Sequence, residues 1–137
     1  MRSIKFRAWD RKEKRMVCCE EFSFSPYYIQ ADGVVLNLDN IDEKHRHVRL
    51  PYTLMQFTGF LDKQGKEVYE GDILKFNSSL YALPDIFYEV FWSEGGAWYI
   101  KLIGSSKPFD EVERINGFHL SYGEVVGNIY KCPGLLK

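Results

Sequence analysis

The chain has 137 residues, with 18 Lys and Arg against 19 Asp and Glu and a formal net charge of −1. That length suits one domain, or one domain with a β extension, able to bury roughly two thirds of its unfolded surface. Near-neutral charge removes any global attraction to nucleic acid or an anionic membrane. No apolar run of ~18 residues is available to span a bilayer, and the charged N-terminus does not read as a secretory signal. A soluble cytoplasmic protein is expected. Ten Phe, nine Tyr and three Trp favour half-buried pleated surfaces over a helix bundle.

Taken in chain order, residues 3–9 and 15–24 read as strands around the charged turn Asp10-Arg11-Lys12-Glu13-Lys14. Residues 27–31 and 34–38 form a second pair around Ala31-Asp32-Gly33. Residues 39–53 alternate weakly, and Pro51 discourages a central strand there. The segment 54–76 is the most informative: Met55, Phe57 and Gly59 alternate with Leu54, Gln56 and Thr58, the period expected of a strand. Asp62-Lys63-Gln64-Gly65 then predicts a type I turn closed by a glycine bulge, because Asp accepts a backbone N–H and Gly65 takes positive φ. Glu70-Gly71-Asp72 turns the chain again into Ile73-Leu74-Lys75-Phe76, with Gly71 in a backbone region other residues avoid and Asp72 bonding local amides. Residues 77–85 read as a loop, and 86–92 and 98–103 as strands flanking Ser93-Glu94-Gly95-Gly96. A loop at 104–108, a short helix at 109–115 opened by Asp110 and Glu111, and a last strand at 124–130 complete the expectation.

Three blocks carry a resemblance to a known family. Met55-Gln56-Phe57-Thr58-Gly59 with the following turns, the opening Ile4-Lys5-Phe6-Arg7-Ala8-Trp9-Asp10, and the closing Glu124-Val125-Val126-Gly127-Asn128-Ile129-Tyr130 are similar to the YopX family of phage and prophage proteins. The match runs in family order from end to end, and is poor over residues 18–50 and 77–118. It implies a mostly β fold with SH3-like barrel character, a phage or prophage origin and no assigned activity. The expected architecture is all-β: an N-terminal β extension over residues 1–50 packed on a small SH3-like barrel over 51–137.

Catalytic signatures fail one by one. No phosphate-cradling glycine loop, nucleophile elbow or zinc-protease, zinc-ribbon or deaminase motif occurs. His45 and His47 share a strand-face spacing but lack an evident third ligand, so no metal and no cofactor is expected. His119, between Phe118 and Leu120, reads as a packed or surface histidine rather than a base. Cys18, Cys19 and Cys132, an odd count, predict reduced thiols. One feature points to a ligand: Lys5, Arg7 and Trp9 share a face of the first strand, with Lys12 and Arg15 nearby. Cations there could meet phosphates while the indole stacks on a base; the alternative is a solvated outer face whose long side chains lie over aromatics. The expected function is a non-enzymatic accessory protein acting by protein–protein interaction or self-association, its partner a second copy or another phage or host protein. Nucleic-acid binding through the basic strand is the alternative. Tyr27, Tyr28, Tyr81, Phe87, Phe91 and Tyr99 are candidates for exposure at such an interface.

Overall fold

The computed structural model describes residues 3–18, 20–21, 26–77, 85–104 and 112–136. These form twelve strands, a helix and a closing 3₁₀ turn, all strand pairs being antiparallel. The all-β expectation holds. Backbone contacts divide the chain into two compact units, residues 4–56 and residues 57–137 with 1–3, and the division falls inside a strand.

In the first unit, β1 (Phe6–Asp10) lies between β2 (Arg15–Val17) and the first half of β6 (Tyr52–Leu61). Its register pairs Phe6 with Gln56 and Asp10 with Tyr52. Buried Ala8, Trp9, Val17 and Met55 lie on these strands. β2 stops at Val17 rather than running to residue 24, because the Glu21 N–H donates to the Cys18 carbonyl at 3.0 Å and closes a turn. Residues 19 and 22–24 of that expected strand lie outside the described residues. A second sheet, β3 (Tyr27–Ile29), β4 (Val35–Ile41) and β5 (His47–Arg49), brings order to part of the segment that reads as irregular in sequence.

In the second unit, β7 (Glu67–Tyr69) pairs with the second half of β6. β8 (Asp72–Phe76), β9 (Ile86–Ser93), β10 (Ala97–Leu102), β11 (Val112–Arg114) and β12 (Gly123–Asn128) form a sheet in the order β11-β10-β9-β8-β12. The pairing leaves β11 and β12 as the ends of the ladder, and the sheet curls into a half-barrel. Its core is Val68, Leu74, Val90, Trp98, Ile100, Ile115 and Val125, with Phe60, Phe76, Tyr88 and Leu120 packed against it.

The helix lies later than expected. Val112–Arg114 is strand, held by register with β10, and residues 109–111 lie outside the described residues. Helix α1 (Gly117–Tyr122) begins instead at Asn116, whose side-chain oxygen accepts the His119 N–H at 3.3 Å. The His119 ring returns the bond, Nδ1 accepting the Asn116 N–H at 3.1 Å, which is a capping box with imidazole in the place of Glu.

The turns follow one chemistry. Hairpins at 30–34, 42–46 and 62–66 close with the same two backbone bonds, and their left-handed positions are Gly33, His45 and Gly65. In the third, Asp62 does two jobs. Its Oδ1 accepts N–H bonds from Gln64 at 2.8 Å and Lys66 at 2.9 Å, and its Oδ2 accepts the Val125 N–H at 2.9 Å from β12. The turn also bonds β12 through the Lys63 N–H and the Gly123 carbonyl at 3.1 Å. Burial is the largest single influence on the Asp62 carboxyl and pushes its pKa up. The amides of Val125, Lys66 and Gln64, aided by the Lys66 charge, together overcome that and hold it below the ordinary value.

Gly71 sits at φ +81°, a left-handed conformation that costs a side chain dearly. Its N–H donates to the Val90 carbonyl at 2.8 Å and its carbonyl accepts the Ile129 N–H at 2.9 Å, so the turn is anchored on both sides. The Tyr69 N–H donates to buried Asp72 Oδ2 at 2.8 Å. The turn at 93–96 closes with the Gly96 N–H on the Ser93 carbonyl at 2.9 Å, and the Gly95 N–H meets Ser93 Oγ at 3.2 Å.

Two outcomes follow from these anchors. Gly71→Val should lose about 1–3 kcal/mol in thermal or urea unfolding; an unchanged melting temperature would contradict the strain assigned to this position. A carboxyl depressed in the folded state contributes stability above its unfolded pKa and loses it as pH falls through the folded value. Asp62→Asn should therefore lower the melting temperature at neutral pH, with the gap to wild type narrowing as pH drops below about 4.

Candidate protein-interaction groove

Three local devices build an open aromatic groove in the second unit. The first is a bulge in β6, where register with β7 shifts between Phe57 and Leu61 and Gly59 takes φ +89°. The Thr58 hydroxyl substitutes for ladder bonds there, donating to the Val68 carbonyl at 2.7 Å and accepting the Phe60 N–H at 3.1 Å. Gly59 thus belongs to a bulge within the strand. The second device is the β9–β10 hairpin, which sets Trp92 directly across from Trp98. Their rings meet edge to face, centroids 4.9 Å apart at 71°. The third is the Ile115 N–H bond to the Trp98 carbonyl, 3.1 Å, which brings the end of β11 alongside.

The resulting cavity holds about 400 Å³ and is lined by Thr58, Gly59, Phe60, Trp92, Trp98 and Ile115, with Arg114 at its side. Trp98 is 7% exposed and belongs to the core, whereas Trp92 is 46% exposed and presents its ring to solvent. An indole left this open beside an apolar slot is the residue type that carries binding energy when covered. Trp92 was absent from the sequence-level candidates for exposure. The stretch Trp92-Ser93-Glu94-Gly95-Gly96-Ala97-Trp98 contains the missing signal, since a hairpin tip centred between two Trp pairs them across the strands.

The basic strand presents its candidates unevenly. Trp9 is 6% exposed, so its indole is closed to a nucleobase. The cause is position: β1 is flanked by β2 and β6 on both edges, and both its faces lose water by Ala8–Asp10. Lys5 and Arg7 are half-buried, and Arg7 Nε lies out of solvent. Lys12 is exposed at the turn, its amide bonded to Asp10 Oδ1 at 2.9 Å, and exposed Arg15 is ion-paired with Glu21 at 3.1 Å. Of the aromatics considered for exposure, Tyr28 is exposed at 53%, while Tyr27, Phe87, Phe91 and Tyr99 are half-buried and Tyr81 lies outside the described residues.

His119 is buried with both ring nitrogens engaged: Nδ1 accepts a backbone N–H, so Nε2 carries the proton that faces Glu113 Oε2 at 3.1 Å. Neither nitrogen is left to abstract a proton. Among the described residues no group of three or more His, Cys, Asp or Glu side chains could hold a metal ion, and no helix is long and apolar enough to cross a membrane. Cys18 and Cys132 are free thiols.

Fold and groove together define an all-β protein with an open aromatic slot between a bulged strand and a Trp-bearing hairpin. Residues 5–137 match the YopX protein family, and the chain belongs to it. The crystal structure of protein EF1440 from Enterococcus faecalis is similar in fold, with 24% identity, a TM-score of 0.61 and coverage of 100% of each chain. No curated protein matches the sequence.

The two indoles should separate experimentally. Trp98→Ala should destabilise by about 3–5 kcal/mol, as expected for a buried ring, whereas Trp92→Ala should cost no more than about 1 kcal/mol. Acrylamide should quench Trp92 fluorescence far more than that of Trp98, measured in the single-replacement Phe variants.

Proposed function

We propose that this YopX-family chain is a non-enzymatic interaction module, an accessory protein of phage or prophage origin acting in the host cytoplasm, and that the Trp92 groove receives an extended segment of a partner protein. The observation that carries this reading is the exposure of Trp92 beside an apolar slot whose volume suits one or two side chains. The rings offer faces and edges to a proline or aromatic side chain, and Gly59 lets a partner backbone approach without meeting a Cβ. The phage or prophage source rests on the family resemblance. The burial of Trp9 weighs against the nucleic-acid alternative.

Panning a random-peptide display library against the protein tests the proposal. Sequences carrying Pro or an aromatic residue should be enriched, and Trp92→Ala should weaken the selected peptides at least about tenfold while leaving the circular-dichroism spectrum intact. Equal binding by the variant, or no enrichment, would overturn it. Light scattering over a concentration series shows whether a second copy is the partner: mass should rise with concentration and revert in Trp92→Ala if the groove mediates self-association.

A further inference from the structure

A second surface, on the first unit and independent of the Trp92 groove, has the chemistry of a strand acceptor. β5 pairs with β4 alone, in the register Leu36 with Arg49 and Asn37 with Val48. The Leu50 N–H donates to the Val35 carbonyl at 2.8 Å, which makes residues 48 and 50 the ones whose backbone groups face β4. Alternation along an antiparallel strand then turns the N–H and C=O of Arg49 outward to the open edge.

Beside this edge lies a cavity of about 780 Å³ lined by Gln30, Leu36, Arg46, His47, Val48 and Arg49 among others. Leu36 supplies an apolar floor, and the rim carries Arg46 paired with Asp42 beside the exposed Arg49. Asp42 holds Arg46 at 2.9 Å and organises the turn, Oδ1 accepting the Lys44 N–H at 2.8 Å and the Arg46 N–H at 3.0 Å. That leaves exposed Arg49 with no ion pair among the described residues. Charges on an edge strand ordinarily discourage indiscriminate pairing. They do so by sign, however, and cations that repel a basic strand attract an acidic one.

We propose that the β5 edge docks an extended acidic polypeptide segment as an added strand, its backbone bonding Arg49 and its carboxylates meeting the Arg49 guanidinium and the neighbouring imidazole of His47. An acidic peptide is favoured over a phosphate backbone because the edge offers ladder donors and acceptors spaced for another strand, which a nucleic acid does not match. The short length of β5 suits a transient partner rather than a permanent one.

Fluorescence anisotropy on the full chain decides the matter. The probe is a labelled peptide of alternating Glu and Val, about eight residues long. It should bind at low salt with a Kd of about 10⁻⁴ M or tighter. Arg49→Glu, at an exposed position that should leave folding intact by circular dichroism, should weaken it at least about tenfold. The same peptide N-methylated on alternate amides should lose a similar factor, because the ladder bonds are then blocked. Failure of the parent peptide to bind, equal binding of the methylated peptide, or no effect of Arg49→Glu would each overturn the proposal. Tighter binding of oligothymidylate than of the peptide would also overturn it, as the mark of a general polyanion site. Trp92→Ala should leave binding unchanged, which separates this surface from the aromatic groove.

Discussion

The second unit depends on one buried carboxylate. Asp62 is 6% exposed and accepts N–H bonds on both of its oxygens, one set closing its own turn and the other reaching a residue 63 positions away in β12. A buried charge without partners would be costly, and here the partners are amides that would themselves be unsatisfied without it. The bond also covers part of the outer edge of β12, together with the Lys63 N–H on the Gly123 carbonyl. A hairpin tip thereby becomes the lid of a sheet edge. The Lys63–Glu124 pair at 3.6 Å is partly exposed and adds little to this.

With that edge closed, the sheet can afford openness elsewhere. The bulge at Gly59 and the register of Trp92 against Trp98 leave an indole open beside the core cluster. The one histidine positioned by a carboxylate, His119, is consumed in capping α1. Asp10, Asp42, Asp62 and Asn128 likewise finish backbone turns, each accepting two or more amide N–H bonds.

How much of this was legible in sequence depends on the range of the interaction that decides each feature. Asp62-Lys63-Gln64-Gly65, Glu70-Gly71-Asp72 and Ser93-Glu94-Gly95-Gly96 declare their turns through residues that act within four positions, and all three form. The helix was misplaced because Asn116 pairs with a histidine rather than the glutamate that usually marks a capping box. Alternation along β1 correctly separates its faces, but whether a face meets water is set by β2 and β6, which local pattern does not reveal; hence the buried Trp9. The groove was invisible for the same reason. It needs Gly59, Trp92 and Ile115 brought together from three segments, and the second bond made by Asp62 is equally silent in the primary structure.

That long reach also sets an order of events during synthesis. The 62–66 hairpin can close within microseconds of its own residues becoming free, yet the second oxygen of Asp62 has no partner until Val125 has been made. β8 likewise waits for β12 along one side, since it pairs with residues 123–128. A nascent chain therefore carries a preformed but incomplete clasp while the intervening strands are added, and the slow step of folding should be the capture of the C-terminal strand rather than the formation of any hairpin.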